Sequence, residues 1–181
     1  MKIFVVRHGE TDSNKNHKLM GQTIDEPLNT EGIKQVNDLT KNIQMSDFDI
    51  IFTSTLKRAR QTAEIIANKI KVPIIESREI LERDFGSMTG KSWEEMDNIV
   101  ENINFKKTDR AQKYDYRPYG GESVEDVKIR TLNFIENLKN KYSNKKVLIV
   151  AHGGIVKIIG FLVSGIPINT PDNGSIHQFN I

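Results

Sequence analysis

At 181 residues, with 37% hydrophobic and 28% charged side chains, the chain can fill one substantial core and cover it with charge, which excludes disordered and fibrous classes. Its 26 Lys and Arg nearly match its 24 Asp and Glu, so the net charge of +2 carries no concentrated basic face of the kind that nucleic acid selects. With no cysteine, a disulfide framework, a thiolate metal site and a cysteine nucleophile are all ruled out.

The first apolar segment, residues 2–6, is β-branched and aromatic and predicts a buried strand that delivers Arg7-His8-Gly9-Glu10 to a strand's carboxyl end. It is much shorter than a signal-peptide core of roughly 7 to 15 residues. No later run approaches a membrane span, so a cytoplasmic protein without a membrane partner is expected. From Thr30, read as a cap, Ile33, Val36, Leu39 and Ile43 recur at helical spacing, predicting an amphipathic helix that ends near Met45. Residues 49–53 read as a second strand. Ser54 then reads as the cap of a helix whose stripe is Ala59, Thr62, Ala63, Ile66 and Ile70.

Pro73 closes that unit and residues 74–76 predict a short third strand. Residues 82–122 are irregular, with a short helix expected around 93–100, and read as an inserted cap at about 83–122. The densest basic stretch, Lys106, Lys107, Arg110, Lys113 and Arg117, reads as a solvated loop or helix face. Val124, Val127, Leu132, Ile135 and Leu138 predict a helix of about four turns. Residues 146–151 form the cleanest strand, followed by an apolar helix over 155–163, and residues 175–181 predict a closing strand. This alternation predicts an α/β three-layer sandwich, with a mostly parallel central sheet, helices on both faces and a single domain over 1–181.

Two histidines, His8 and His152, each follow an apolar strand and precede glycine. In an open parallel sheet such strand ends share one crevice, so the two imidazoles are expected to meet across a cleft. Arg7 supplies a planar fork for a phosphate beside His8, and Arg58 and Arg60 compete for a second cationic position at a helix start, where free N–H groups also favour anions. His17 and His177 read as surface residues. Trp93 and the tyrosines read as cap core. Glu10 reads as a hydrogen-bond partner behind the site or as a helix-start carboxylate.

Five segments in this order, Arg7-His8-Gly9-Glu10-Thr11 with Asn14, residues 54–63, Leu81-Glu82-Arg83-Asp84-Phe85-Gly86, Gly120-Gly121-Glu122-Ser123, and Ala151-His152-Gly153-Gly154, resemble the histidine phosphatase superfamily over almost the whole chain. That family contains cofactor-dependent phosphoglycerate mutases and many small phosphatases. The resemblance implies that His8 is phosphorylated, that Arg7, Arg58 and His152 surround the phosphoryl group, and that Glu82 is the proton donor. Arg58 is favoured over Arg60 because the family's Arg directly precedes Ala, and Glu82 over Glu79 by its position before Arg83-Asp84-Phe85-Gly86. It further implies substrate contacts from Asn14, Gly21, Gln22 and Gly153, with no metal and no cofactor.

The expected activity is hydrolysis of a small phosphorylated metabolite, a phosphomonoester, because the compact length leaves out the larger insertions with which family mutases enclose a bisphosphate. Phosphoglycerate mutase is the alternative on the same residues. A binding module without catalysis is disfavoured because nucleophile and acid are both present. Nothing in the sequence sets the oligomeric state.

Overall fold

The computed structural model describes all residues, 1–181. Five strands, β1 (Lys2–Arg7), β2 (Ile50–Ser54), β3 (Ile74–Ser77), β4 (Val147–Ala151) and β5 (Ile176–Asn180), form one sheet in the order β3-β2-β4-β1-β5. The first four are parallel, and β5 closes the edge antiparallel to β1. Seven helices accompany them: α1 (Asp12–Lys15), α2 (Thr30–Thr40), α3 (Lys57–Ile70), α4 (Trp93–Ile99), α5 (Phe105–Arg110), α6 (Val124–Tyr142) and α7 (Gly153–Ser164).

Every residue of β2 and β4 is buried, which is why these strands read as unbroken apolar runs rather than as alternating patterns. On one face Val6, Ile51, Leu148 and Val150 pack with Val36 of α2 and with Ala59, Ala63 and Ile66 of α3. On the other, Ile3, Val5, Phe52 and Ile149 pack with Phe134 and Leu138 of α6 and with Ile155 and Ile159 of α7. The chain is therefore an α/β three-layer sandwich. The helices that follow β1 and β2 cover the first face and the helix that follows β4 covers the second. A topological switch point falls between neighbouring β1 and β4, where open α/β sheets place a ligand crevice.

Several boundaries differ from the sequence expectation, each for a local reason. Asn29, not Thr30, caps α2, its side chain accepting from Gly32 N–H at 2.8 Å. That helix stops at Thr40 rather than near Met45, because Lys41, Asn42 and Ile43 each bond three residues back and tighten the chain out of α geometry. Ser54 ends β2 and does not cap α3, whose N-cap is Leu56. Helix α6 is longer than four turns, at 19 residues, and Leu132 lies off its buried stripe, replaced by Thr131 and Phe134.

Residues 78–122 carry short 3-10 turns, α4 and the unanticipated α5. Phe85, Met88, Met96, Phe105, Tyr114 and Tyr116 of this segment join the same apolar cluster as β1, β4, α6 and α7. The five basic residues between 106 and 117 are exposed, as expected of a solvated face, while Asp109 among them is buried. No helix is long and apolar enough to cross a membrane.

Candidate active site

The strand order puts the carboxyl ends of β2, β4 and β1 side by side, and each delivers one polar residue to the same point. His8, just beyond β1, is 2% exposed, and His152, just beyond β4, is 0% exposed. Their rings lie 5.2 Å apart between centroids, at 61°. Ser54, ending β2, lies 2.8 Å from His152 Nε2 through its Oγ. The strand-end logic thus brings the two imidazoles together, and it adds a hydroxyl that reads locally as a helix cap.

A hydrogen bond selects the His8 tautomer. His8 Nδ1 is 2.7 Å from the Gly9 carbonyl, an acceptor only, so Nδ1 carries the proton and Nε2 keeps its lone pair. Ser54 Oγ accepts from Leu56 N–H at 3.4 Å and lies 2.8 Å from His152 Nε2, a contact that either His152 tautomer makes. Burial, together with the Arg58 and Arg7 charges, holds the His8 pKa well below the ordinary 6.5. Burial and Arg58 do the same for His152.

Arg58 is 1% exposed, and its guanidinium donates to the carbonyls of Gly21 at 2.8 Å and Ile24 at 3.0 Å, pinning the 21–24 loop over the site. Burial pushes its pKa down to about 10. Arg60, two residues on, is exposed and faces Glu76 at 3.8 Å, so half a turn of helix separates a cleft residue from a surface one. Arg7 donates to the Pro171 carbonyl at 2.6 Å. Arg7 Nε, Arg58 Nε and His152 Nδ1 are among the buried nitrogens without a partner, as is Arg83 Nε. Orphaned donors of this kind cost about 1–3 kcal/mol each unless a ligand satisfies them.

Arg7, His8, Asn14, Gly21, Arg58, Glu82, Gly153 and Gly154 share the wall of one cleft of about 210 Å³. His152 is not among the residues of that wall, and its ring packs edge-on against His8. Asn14 caps and lines at once: its Oδ1 receives Thr11 N–H at 3.3 Å and Asn173 Nδ2 at 3.1 Å, which leaves its amide N–H groups uncommitted. Gln22 is outside the cleft wall, because its amide donates to Glu122 at 3.1 Å. Glu10 accepts from Asn29 at 2.9 Å and so supports the start of α2, the helix-start alternative.

The helix terminus that reaches the cleft also differs from expectation. The first N–H of α3 is taken by Asp25 at 2.6 Å, whereas α7 opens on the cleft with Gly153 and Gly154. Gly154 N–H donates to Glu82 Oε2 at 3.0 Å, and Arg83 N–H donates to Oε1 at 2.9 Å. A Cβ on Gly154 would fall on the carboxylate, so glycine is what allows Glu82 to reach the helix start.

Positioning of Glu82 comes from residues that carry no local signal. Arg130 of α6 donates to the carbonyls of Glu79, Leu81 and Glu82 at 2.9, 2.6 and 3.1 Å and pairs with Glu122. Glu122 in turn accepts Asp84 N–H at 2.9 Å, so the fourth sequence segment serves to fix the backbone around Glu82. Asn173 donates to the His8 carbonyl at 3.0 Å, and Gly174 N–H to that of Arg7 at 3.1 Å, tying the loop before β5 to the first segment. His17, read as a surface residue, is exposed but stands in the cleft wall with Lys18, which pairs with Glu95 at 2.7 Å; Trp93, read as cap core, is half-buried there. His177 lies in β5, opposite Val5 in the ladder. No group of three or more His, Asp or Glu side chains is arranged to hold a metal ion.

Comparison with known proteins gives a consistent picture. The uncharacterized phosphatase PhoE of Bacillus subtilis is 37% identical over 164 residues, covering 90% of this chain and 77% of that protein. The metal-independent phosphoserine phosphatase of Arabidopsis thaliana is 32% identical over 160 residues, covering 87% of this chain and 66% of its own. The solved structure of a phosphoglycerate mutase from Thermus thermophilus superposes with a TM-score of 0.79 at 28% identity, covering 98% of this chain and 92% of that one. The family model described as the histidine phosphatase superfamily (branch 1) matches residues 3–181. A chain matched over nearly its full length, with paired strand-end histidines on this sheet, belongs to the histidine phosphatase superfamily.

Proposed function

We propose that the protein is a metal-independent phosphatase that hydrolyses a small phosphomonoester through a phosphohistidine on His8. The observation that carries this reading is the pair of unpartnered buried donors Arg7 Nε and Arg58 Nε in the cleft that holds His8, an imidazole whose Nε2 lone pair is free. A phosphoryl group satisfies both, and the Nδ1–H tautomer of the neighbouring His152 supplies a third donor. The phosphoryl charge, spread over three oxygens in the transition state, is what preorganised cationic donors stabilise.

In the first half-reaction His8 Nε2 attacks phosphorus while the ester P–O bond breaks. The leaving oxygen takes the electron pair and a proton from Glu82, departing as the alcohol. In the second, the Glu82 carboxylate takes a proton from water, whose oxygen attacks the phosphohistidine. The P–N bond breaks, returning neutral His8 and releasing inorganic phosphate. The relatives' phosphatase names favour this over mutase chemistry. The cap shares its apolar cluster with the sheet, which supports treating 1–181 as one domain.

The test is phosphate release from p-nitrophenyl phosphate in excess EDTA, with 3-phosphoglycerate and 2,3-bisphosphoglycerate in parallel. Steady release of inorganic phosphate, unaffected by the chelator, is expected. A requirement for added metal ion, or interconversion of phosphoglycerates without net phosphate release, sinks the phosphatase reading.

The depressed His8 pKa has its own consequence. Because only the neutral imidazole attacks, kcat/KM loses its base form as pH falls through the His8 pKa, so the acid limb lies well below pH 6.5. Arg58→Met removes a nearby positive charge, which raises that pKa and moves the limb toward 6.5, along with a loss in rate. A pH–rate profile corrected for substrate ionisation measures both. A wild-type limb at or above 6.5 contradicts the neutral nucleophile.

A further inference from the structure

A side-chain amide has two unlike ends, an oxygen that only accepts and a nitrogen that only donates. Asn14 stands in the cleft wall with Arg7, His8 and Arg58, so the end it shows to a phosphoryl group matters. The N–H end binds the anion and the oxygen end repels it.

The orientation of Asn14 is set by its neighbours, beginning with a main-chain carbonyl. The His8 carbonyl only accepts, and Asn173 Nδ2 donates to it at 3.0 Å. The same Nδ2 lies 3.1 Å from Asn14 Oδ1 and has only protons to offer, so it holds the Asn14 oxygen toward itself. Thr11 N–H, 3.3 Å from that oxygen, makes the same demand from the cap of α1. Two donors claim the oxygen, and the N–H end of Asn14 is left for a ligand.

Asn173 is placed for this by the loop before β5. Gly174 N–H donates to the carbonyls of Arg7 at 3.1 Å and His8 at 3.2 Å, and the Pro171 carbonyl accepts from the Arg7 guanidinium at 2.6 Å. The loop is thus tied to the first segment on both sides of Asn173. Asn173 is not itself in the cleft wall, so it acts through Asn14 and not on the substrate.

We propose that Asn173 is a positioning residue for phosphoryl transfer: its N–H turns the Asn14 amide so that Asn14 Nδ2 donates to a phosphoryl oxygen. This role deepens the phosphatase reading of the same cleft and rests on it. Without the Asn173 donor, only the longer Thr11 contact at 3.3 Å opposes a flip that sets an oxygen against the anion.

The test is a double-mutant cycle between positions 14 and 173. It is read twice, as kcat/KM for p-nitrophenyl phosphate and as the dissociation constant of inorganic phosphate by calorimetry. Asn14→Ala and Asn173→Ala should each lower kcat/KM and weaken phosphate binding about tenfold or more, the scale of a hydrogen bond to a charged group. The double variant should be within about twofold of Asn14→Ala alone, because Asn173 then has nothing left to orient. Asn173→Leu, close to the native shape but without a donor, carries the cycle if the Ala variant does not fold. A residue that merely ties its loop to the first strand costs the same factor whether position 14 holds Asn or Ala, and that result overturns the proposal. So does an Asn173→Ala enzyme with wild-type activity and phosphate affinity. A wild type that releases no phosphate from p-nitrophenyl phosphate or any other ester removes the phosphatase reading instead, and the phosphate-binding cycle then decides the role of Asn173 by itself.

Discussion

His8→Ala is expected to abolish turnover, with kcat falling by about four orders of magnitude or more, the scale seen when a covalent nucleophile is removed. The reason is geometric as much as chemical. The Gly9 carbonyl fixes the proton on Nδ1, so Nε2 keeps a free lone pair in a cleft to which Arg7 and Arg58 each bring an unpartnered Nε–H. The variant keeps those donors and should still bind phosphate or vanadate, while forming no acid-labile, base-stable phosphoenzyme with radiolabelled substrate. Its hydrogen bond is to the adjacent residue, so folding should survive, and circular dichroism checks this. Label retained in the variant, or hydrolysis within about tenfold of wild type, removes His8 from the mechanism.

The second large effect is expected at Glu82. Glu82→Gln preserves shape and an acceptor oxygen for Gly154 N–H, which lies 3.0 Å from the carboxylate, but it removes the transferable proton. For alkyl phosphates, whose alkoxides leave poorly, the loss should be about 10² to 10⁴ in kcat/KM. For p-nitrophenyl phosphate, whose phenolate needs little help, formation of the phosphoenzyme should be nearly spared. A pre-steady-state burst of p-nitrophenol should therefore persist in the variant while its hydrolysis slows, because water activation falls to the same carboxylate. Equal losses on both ester types, with no burst, would show that Glu82 positions rather than protonates.

Both predictions depend on side chains brought into register from distant parts of the chain, and sequence reasoning reached them unevenly. Arg58 and Arg60 are chemically alike, and the family motif chose the first. Physically, Arg58 is buried under the 21–24 loop while Arg60 is exposed near Glu76, a distinction set by which face of α3 packs on the sheet. Ser54 was legible as a polar residue before a helix, and that local pattern points to a cap. Its actual partner, His152, is 98 residues away. Gln22 had a polar head suited to a substrate, but Glu122, 100 residues on, claims it.

The positions of the strands and the strand-end placement of His8 and His152 were readable from the chain alone, whereas the expected chemistry of the site came from the resemblance to a family. Those placements follow from local rules: the period of apolar residues, the run length of a two-sided buried strand, and the preference of functional groups for the carboxyl ends of parallel strands. Apart from the meeting of His8 and His152, what needed the tertiary structure was the pairing of side chains across the fold. The Arg130 and Glu122 brace behind Glu82, the loop from 170 to 174 folded over Arg7, and Arg83 and Lys157 sharing Asp109 join elements 8 to 165 residues apart. Such contacts are decided by strand order and by which helix covers which face, and a charged side chain looks the same in sequence whether it ends in water or in the core.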